Sequence, residues 1–204
     1  MSKPQAPMRE VRAYSSEVRA SPTAEGEIRF TGHAALFNAW SEDLGGFREQ
    51  VAPGAFTKAI QMDDVRALLN HNADYVLGRN RAGTLTLSED EQGLHFDVLA
   101  PNAQWARDLH ESVKRGDITQ CSFGFTCIRD DWRTVDGKDE RTLLEVRLHD
   151  VSIVTFPAYT AASVSARDIY SAHREVLAKQ ERPGVAAVLR RKLDLKEKEW
   201  NHHE

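Results

Sequence analysis

Apolar and small residues alternate with period 2 over residues 119–130, where Cys121, Phe123, Phe125 and Cys127 fall on one parity and Ser122, Gly124 and Thr126 on the other. Successive side chains of an extended segment point to opposite faces, so this pattern predicts a strand with an apolar face and a small-residue face. Residues 142–156 give the strongest strand pattern. Leu144, Val146, Leu148, Asp150, Ser152, Val154 and Phe156 share one parity there, and Leu143, Glu145, Arg147, His149, Val151 and Ile153 the other. Shorter runs predict strands over 27–38, 65–71, 84–88 and 94–100. Two stretches have helical spacing instead. One is 54–61, behind Pro53, and the other is 103–115, where Trp105, Leu109 and Val113 form a core-facing stripe and Gly116 terminates it. Strands outnumber helices, which predicts a mainly β protein: a mostly antiparallel barrel or sandwich with helices packed outside.

Three residues within these strands bear chemistry. Ser122 stands among small neighbours, so open space is expected above its hydroxyl, as a displayed nucleophile needs; a small-residue face packed under a helix fits the same pattern. A serine hydroxyl is inert near neutral pH unless a base takes its proton. Of the eight histidines, His202 and His203 lie in a charged tail and His110 and His173 in polar helical stretches. His33 follows Gly32, and His95 neighbours Phe96 in a strand. His71 differs, because it ends the stripe Val65, Ala67, Leu69 where the chain turns polar at Asn72 and Asp74. One ring nitrogen can be buried there and the other offered to a cleft, although a hydrogen-bonded structural histidine fits as well. Asp150 is an acid in the middle of an apolar face. A buried carboxylate is costly unless paired, which requires a partner such as an imidazole N–H, a core-edge arginine or a loop to cap. Glu145 and His149 rival Asp150 for this place, but alternation sends both to the opposite face.

Seven stretches then carry a resemblance. In order they are Gly-His-Ala-Ala-Leu-Phe-Asn from Gly32, Phe-Arg-Glu-Gln-Val-Ala-Pro-Gly-Ala-Phe from Phe47, Leu-Leu-Asn-His-Asn ending at Asn72, Leu-Gly-Arg from Leu77, Arg-Gly-Asp-Ile from Arg115, Cys-Ser-Phe-Gly-Phe from Cys121, and Asp-Val-Ser-Ile-Val-Thr-Phe-Pro-Ala-Tyr from Asp150. Across residues 9–170 the chain resembles the prohead maturation proteases of tailed bacteriophages, distant relatives of the herpesvirus assemblins. The resemblance implies a closed antiparallel β-barrel surrounded by helices. It implies a serine endopeptidase with catalytic His71, Ser122 and Asp150 in a triad of base, nucleophile and orienting acid. The implied partners are the major capsid protein precursor, with its scaffolding region, and the protease itself through self-cleavage, with a dimer or higher oligomer open. The implied place is the assembling procapsid in the host cytoplasm. One position departs from the pattern: the third member is more often glutamate in phage enzymes and histidine in viral ones. Aspartate is one methylene shorter, so it must approach the ring more closely or act through water. The oxyanion donors are expected by analogy around Ala158, after Pro157 ends the ladder. Two other readings stay open, a catalytically silent assembly or scaffolding module and a zinc hydrolase on His71, His149 and a cysteine. The second is disfavoured by ligands on opposing strand faces.

Composition adds limits. With 204 residues and no Pro/Gly/Ser-rich linker in the middle, one core is expected. The net charge of −4 gives no basic footprint, so no nucleic-acid partner is expected. No apolar run approaches the roughly 20 residues of a membrane span, and the N-terminus lacks a signal-peptide core, so a soluble, intracellular protein with no membrane partner is expected. Cys121 and Cys127 lie about 20 Å apart on one strand, too far for a disulfide, and reduced thiols suit the cytosol. No cofactor or metal is expected, since His202 and His203 lack a third ligand. Residues 1–8 are expected to be a flexible N-terminal segment and 171–204 a charged amphipathic tail, with Val185, Val188, Leu189 and Leu193 at helical spacing beyond Pro183-Gly184. The acidic, Trp-containing stretch 130–140 is a candidate border of a cleft.

Overall fold

In chain order the elements are β1 (Glu10–Tyr14), β2 (Arg19–Pro22), β3 (Ile28–Leu36), β4 (Phe47–Val51), α1 (Thr57–Met62), β5 (Arg66–Leu69), β6 (Asn72–Arg79), β7 (Leu85–Glu89), β8 (Gly93–Ala100), α2 (Gln104–Lys114), β9 (Gln120–Val135), β10 (Lys138–Val154) and α3 (Tyr159–Gln180). This computed structural model describes residues 8–14, 18–22, 26–156 and 159–180. The chain divides after Ala166 into two compact units. The expectations for residues 1–7, for Pro157 and Ala158, and for Val185 to His203 lie outside the described residues.

The strands form two sheets, one ordered β1-β9-β10-β5-β6 with β4 also on β10, the other β2-β3-β8-β7. Most pairs are antiparallel, as expected. The exceptions are β10 with β4 and β10 with β5, which run parallel. The β4-α1-β5 segment makes this possible, because a crossover returns the chain to the same edge of β10 in the same direction. Between the two pairings β10 keeps its backbone satisfied: Val146 N–H donates to the Ala55 carbonyl at 3.1 Å and Leu148 N–H to Asp63 Oδ2 at 2.8 Å.

A long hairpin organises the larger sheet. β9 and β10 pair from Val135↔Lys138 to Gln120↔Val154, joined by Asp136-Gly137 with φ of 51° and 76°. Two left-handed residues at a two-residue turn match the twist of the flanking strands, and Asp-Gly is a favoured pair there. The stretch 130–140 is thus ladder and turn. Three register irregularities interrupt β10, the last between Leu148 and Asp150. Leu148 pairs with Phe125 and Asp150 with Gly124, leaving His149 as the extra residue of a bulge. The core face therefore changes parity: Leu143, Val146, Leu148, Val151 and Ile153 are the core residues. Asp150 is buried, but not on the face with Val146 and Leu148 that strict alternation predicts.

The core lies beneath Phe123 and Phe125, whose rings stack at 4.9 Å, with Phe56 edge-on to Phe123 at 5.4 Å. It also takes Phe30, Leu94, Phe96 and Val98 from β3 and β8, and Ala106, Leu109 and Val113 from α2. Helix α2 ends as expected, with Gly116 at φ 82°. No helix among the described residues is long and apolar enough to cross a membrane.

Candidate active site

His71 reaches the site through a turn rather than a strand. The expected strand over 65–71 stops at Leu69, and Asn70 and His71 form a two-residue link to β6, with Leu69 paired to Asn72. Both take left-handed φ, 53° and 55°, which asparagine and histidine tolerate better than most side chains. Asn70 fixes this turn to the end of β10. Its N–H donates to the Ile153 carbonyl at 2.9 Å, its Oδ1 accepts from Thr155 N–H at 2.8 Å, and its Nδ2 donates to Thr155 Oγ1 at 3.2 Å.

So held, the imidazole lies between the other two expected residues. His71 Nε2 is 2.7 Å from Ser122 Oγ, and His71 Nδ1 is 2.5 Å from Asp150 Oδ2. Three residues separated by 79 and 51 positions of chain meet in one row. Ser122 and Ser152 face each other across the β9-β10 ladder, and Ser152 Oγ donates to Asp150 Oδ2 at 2.8 Å. Asp150 Oδ1 is bound by the Arg9 guanidinium, just ahead of β1. The short aspartate reaches the ring directly because Gly124 opposes it. A Cβ on Gly124 would stand 2.3 Å from Asp150 Oδ1. The small-residue face thus holds the carboxylate, and the open space expected above Ser122 is absent.

Ser122 is in fact fully buried, at 0% exposure. This corrects the expectation of a displayed hydroxyl. Strand β1 pairs along β9, with Ala13 opposite Ser122, and Ser122 Oγ lies 2.8 Å from the Arg12 carbonyl. The serine has one hydrogen and two acceptors. With a neutral ring donating from Nδ1 to Asp150, Nε2 accepts the hydroxyl proton. With a protonated ring, Nε2–H donates to Oγ and the hydroxyl donates to Arg12. Both states satisfy the geometry, which suits a group that accepts and returns a proton.

Burial pushes the Asp150 carboxyl up, but the His71 bond and charge, the Ser152 hydroxyl and the Arg9 cation outweigh it and hold the group below its ordinary value. Asp150 is therefore ionised near neutral pH, as an imidazolium partner must be. The rivals are engaged elsewhere. Glu145 takes Lys58 Nζ at 3.0 Å on both oxygens, and His149 Nε2 lies 2.9 Å from Thr126 Oγ1. Strict alternation places His149 and Asp150 on opposite faces; the bulge brings Asp150 onto the face that His149 shares with Arg147 and Thr126, so facing no longer separates His149 from His71. Desolvation, then the Arg9 charge, lowers the His149 pKa. Cys127 is pushed up to about 12, chiefly by burial, which leaves it unreactive as a thiolate. Among the described residues no group of three His, Cys, Asp or Glu could hold a metal ion. His33 pairs with Asp90 at 2.7 Å, away from this row.

Beneath β1 lies a charge network that the hydrophobic pattern does not predict. Arg12 Nε donates to Glu49 at 2.8 Å and its Nη2 to Glu10 at 2.7 Å, while Arg141 Nη1 donates to Glu10 and Glu49, each at 2.8 Å. All four side chains are at most 3% exposed. Against the cost of burial, Glu49 and Glu10 hold both guanidinium groups charged. Period 2 is the available signal: Glu10 and Arg12 are spaced i, i+2, and Glu49 shares its parity with buried Phe47 and Val51. Polar residues at buried positions of such short runs do not announce themselves.

Comparison with known proteins gives three results. The T4 phage capsid assembly protease, gp21, is similar in structure at a TM-score of 0.47 and 8% identity, over 74% of this chain and 98% of that one. No curated protein sequence matches. Residues 14–175 match the family described as caudovirus prohead serine protease, a span that contains His71, Ser122 and Asp150. A serine, an imidazole and a carboxylate in hydrogen-bonded sequence lie within a match covering most of the chain, and the chain belongs to the caudovirus prohead serine protease family.

Proposed function

We propose that this capsid maturation protease cuts peptide bonds with Ser122 as nucleophile, His71 as general base and Asp150 as the acid that orients the ring. The observation that carries this reading is the row Ser122 Oγ, His71 Nε2, His71 Nδ1, Asp150 Oδ2, with steps of 2.7 and 2.5 Å. His71 takes the Ser122 proton as Oγ attacks the peptide carbonyl, then returns it to the leaving amine; water hydrolyses the acyl-enzyme by the same route. Asp150 stays ionised and favours the imidazolium that forms. Because Ser122 is buried, a substrate strand reaches it only after the cover over Oγ moves, so this arrangement is a closed form.

The substrates in this reading are the scaffolding region of the major capsid protein precursor and the chain itself, processed inside the assembling procapsid. Replacing Ser122 by Ala in cells co-expressing the capsid precursor tests it. Loss of precursor cleavage is the expected result, and undiminished processing overturns the assignment. We read the two sheets as the halves of one closed barrel, since β3 lies against β1 and β9, and β6 against β8; an experimental structure with separated sheets would contradict this. The protease domain is taken as 9–170, with 171–204 a charged amphipathic tail. Helix α3 continues to Gln180, so the cut that tests the tail belongs after that residue. A chain ending there should keep its activity, and a chain that folds but cleaves nothing would refute the division.

A further inference from the structure

Asp150 has two oxygens, and the triad uses one. Oδ2 faces His71 Nδ1 and the Ser152 hydroxyl. Oδ1 points the other way, into the gap that Gly124 leaves, and is bound there by the guanidinium of Arg9. A carboxylate with a 2% exposed side chain can swing about its last torsion unless both oxygens are held. We propose that Arg9 is a positioning residue of the triad, locking Oδ1 of Asp150 so that Oδ2 stays aimed at the His71 ring. The inference rests on the triad reading and extends it to a residue ahead of the family match, which begins at residue 14.

Arg9 is placed by its neighbours. Glu10 and Arg12 are sunk into the pairs with Glu49 and Arg141, which fix β1 in register on β9. That register projects the preceding residue across Gly124. A Cβ at position 124 would stand 3.0 Å from Arg9 Nη2 as well as against Asp150, so the one glycine clears room for both partners. The Arg9 side chain is 50% exposed, so solvent screens its charge and its main contribution is geometric. Some electrostatic effect remains. The groups facing the carboxylate are Arg9 from the chain ahead of β1, His71 from the β5-β6 turn, and His149 and Ser152 from β10, with Asp63 and Arg147 acting on His149. From β9 come only the neutral Ser122 and Gly124, and Arg66 of β5 is engaged with Asp64. Removing the Arg9 cation leaves the Asp150 charge less compensated, so the carboxylate attracts a positive ring more strongly.

The test is the rate at which a fluorophosphonate probe modifies Ser122 in the full chain, measured from about pH 5 to about pH 9. Arg9→Gln should slow labelling by about ten- to a hundredfold, as a small misplacement of a catalytic group does, and should move the acidic limb of the rate profile to higher pH. Arg9→Lys should keep most of the rate and the limb. The same limb shift should persist with His149→Gln in the background, which removes that ring as its source. Wild-type rate and limb in Arg9→Gln overturn the proposal, as does an equal loss in Arg9→Gln and Arg9→Lys with the limb unmoved. In both cases labelling that depends on His71 leaves the triad itself standing. A wild-type chain that the probe never modifies at Ser122 removes both.

Discussion

Gly124 and Asp150 are matched in shape: the carboxylate of one occupies the volume that a side chain on the other would need. A Cβ built on Gly124 falls 2.3 Å from Asp150 Oδ1 and 3.1 Å from its Cγ. A neighbour at the first distance must move. The proposed third member of the triad is aspartate, whose shorter arm requires close approach, and the missing Cβ opposite it supplies the clearance.

Gly124→Ala should therefore leave the fold in place and impair the site. Misdirecting or neutralising the orienting acid of a Ser-His-Asp triad costs up to about 10⁴ in kcat, and Gly124→Ala should lie below that ceiling but beyond about tenfold. Cleavage of the capsid precursor or probe labelling measures it, with the circular dichroism spectrum unchanged. An alanine variant of full activity would show that the carboxylate does not need that space.

Acid stability should report on Asp150. Its pKa in the fold is below its ordinary value of 3.8, so over this window the unfolded chain binds more protons. The stabilisation it contributes is present above 3.8 and is lost as pH falls through the lower folded value. Denaturant midpoints followed downward from about pH 5 should fall less steeply in Asp150→Asn than in the wild type. Asp43 and Asp90 are depressed too, so part of the slope will remain. Identical slopes in the two proteins would refute the assignment of this proton to Asp150.

The buried network should behave as a unit. Arg141→Met leaves Glu49, at 0% exposure, with one cation fewer in the core, and breaking such a pair costs about 3–5 kcal/mol. Replacing Glu49 and Arg141 together by apolar residues should recover part of that loss. Denaturant unfolding measures both, and a single variant within about 0.5 kcal/mol of wild type, the range of ordinary surface changes, would contradict the role given to these charges.

Asn70 should be sensitive in a graded way. Its left-handed φ of 53° favours asparagine or glycine, and its side chain holds Thr155. Asn70→Gly keeps the turn and loses the clamp; Asn70→Val loses both and adds strain of about 1–3 kcal/mol. Activity should fall in the order wild type, Gly, Val. An Asn70→Val protein as active as the glycine variant would show that turn geometry does not position His71.

Much of this site is legible in the pattern of residues along the chain, for definite reasons. Ser122 and Asp150 sit on long strands whose period 2 is unmistakable, and His71 lies where an apolar run meets polar residues. What the pattern does not show is local departure from period 2. The bulge at His149 reverses which residues share Asp150's face, and the Asn70-His71 turn ends a strand that alternation alone would extend. Asp136-Gly137 is a readable hairpin signal inside a stretch whose charge and tryptophan suggest a cleft border instead. Strands β1, β2, β4 and β6 escape because they are short, or, in β6, exposed over its first five residues. Arg9 carries no signal at all, since its role depends on a glycine 115 residues away being in register with Asp150. The burial of Ser122 belongs to the same class: β1, a strand too short to predict, lies along β9 and sets a carbonyl against its hydroxyl.

The central claim is that one hydroxyl is made reactive by one imidazole. Peptide mapping by mass spectrometry after treatment with a fluorophosphonate tests it most directly. A single adduct on Ser122, lost in His71→Ala, is the predicted result; an adduct on another residue, or equal modification of Ser122 without His71, would contradict it.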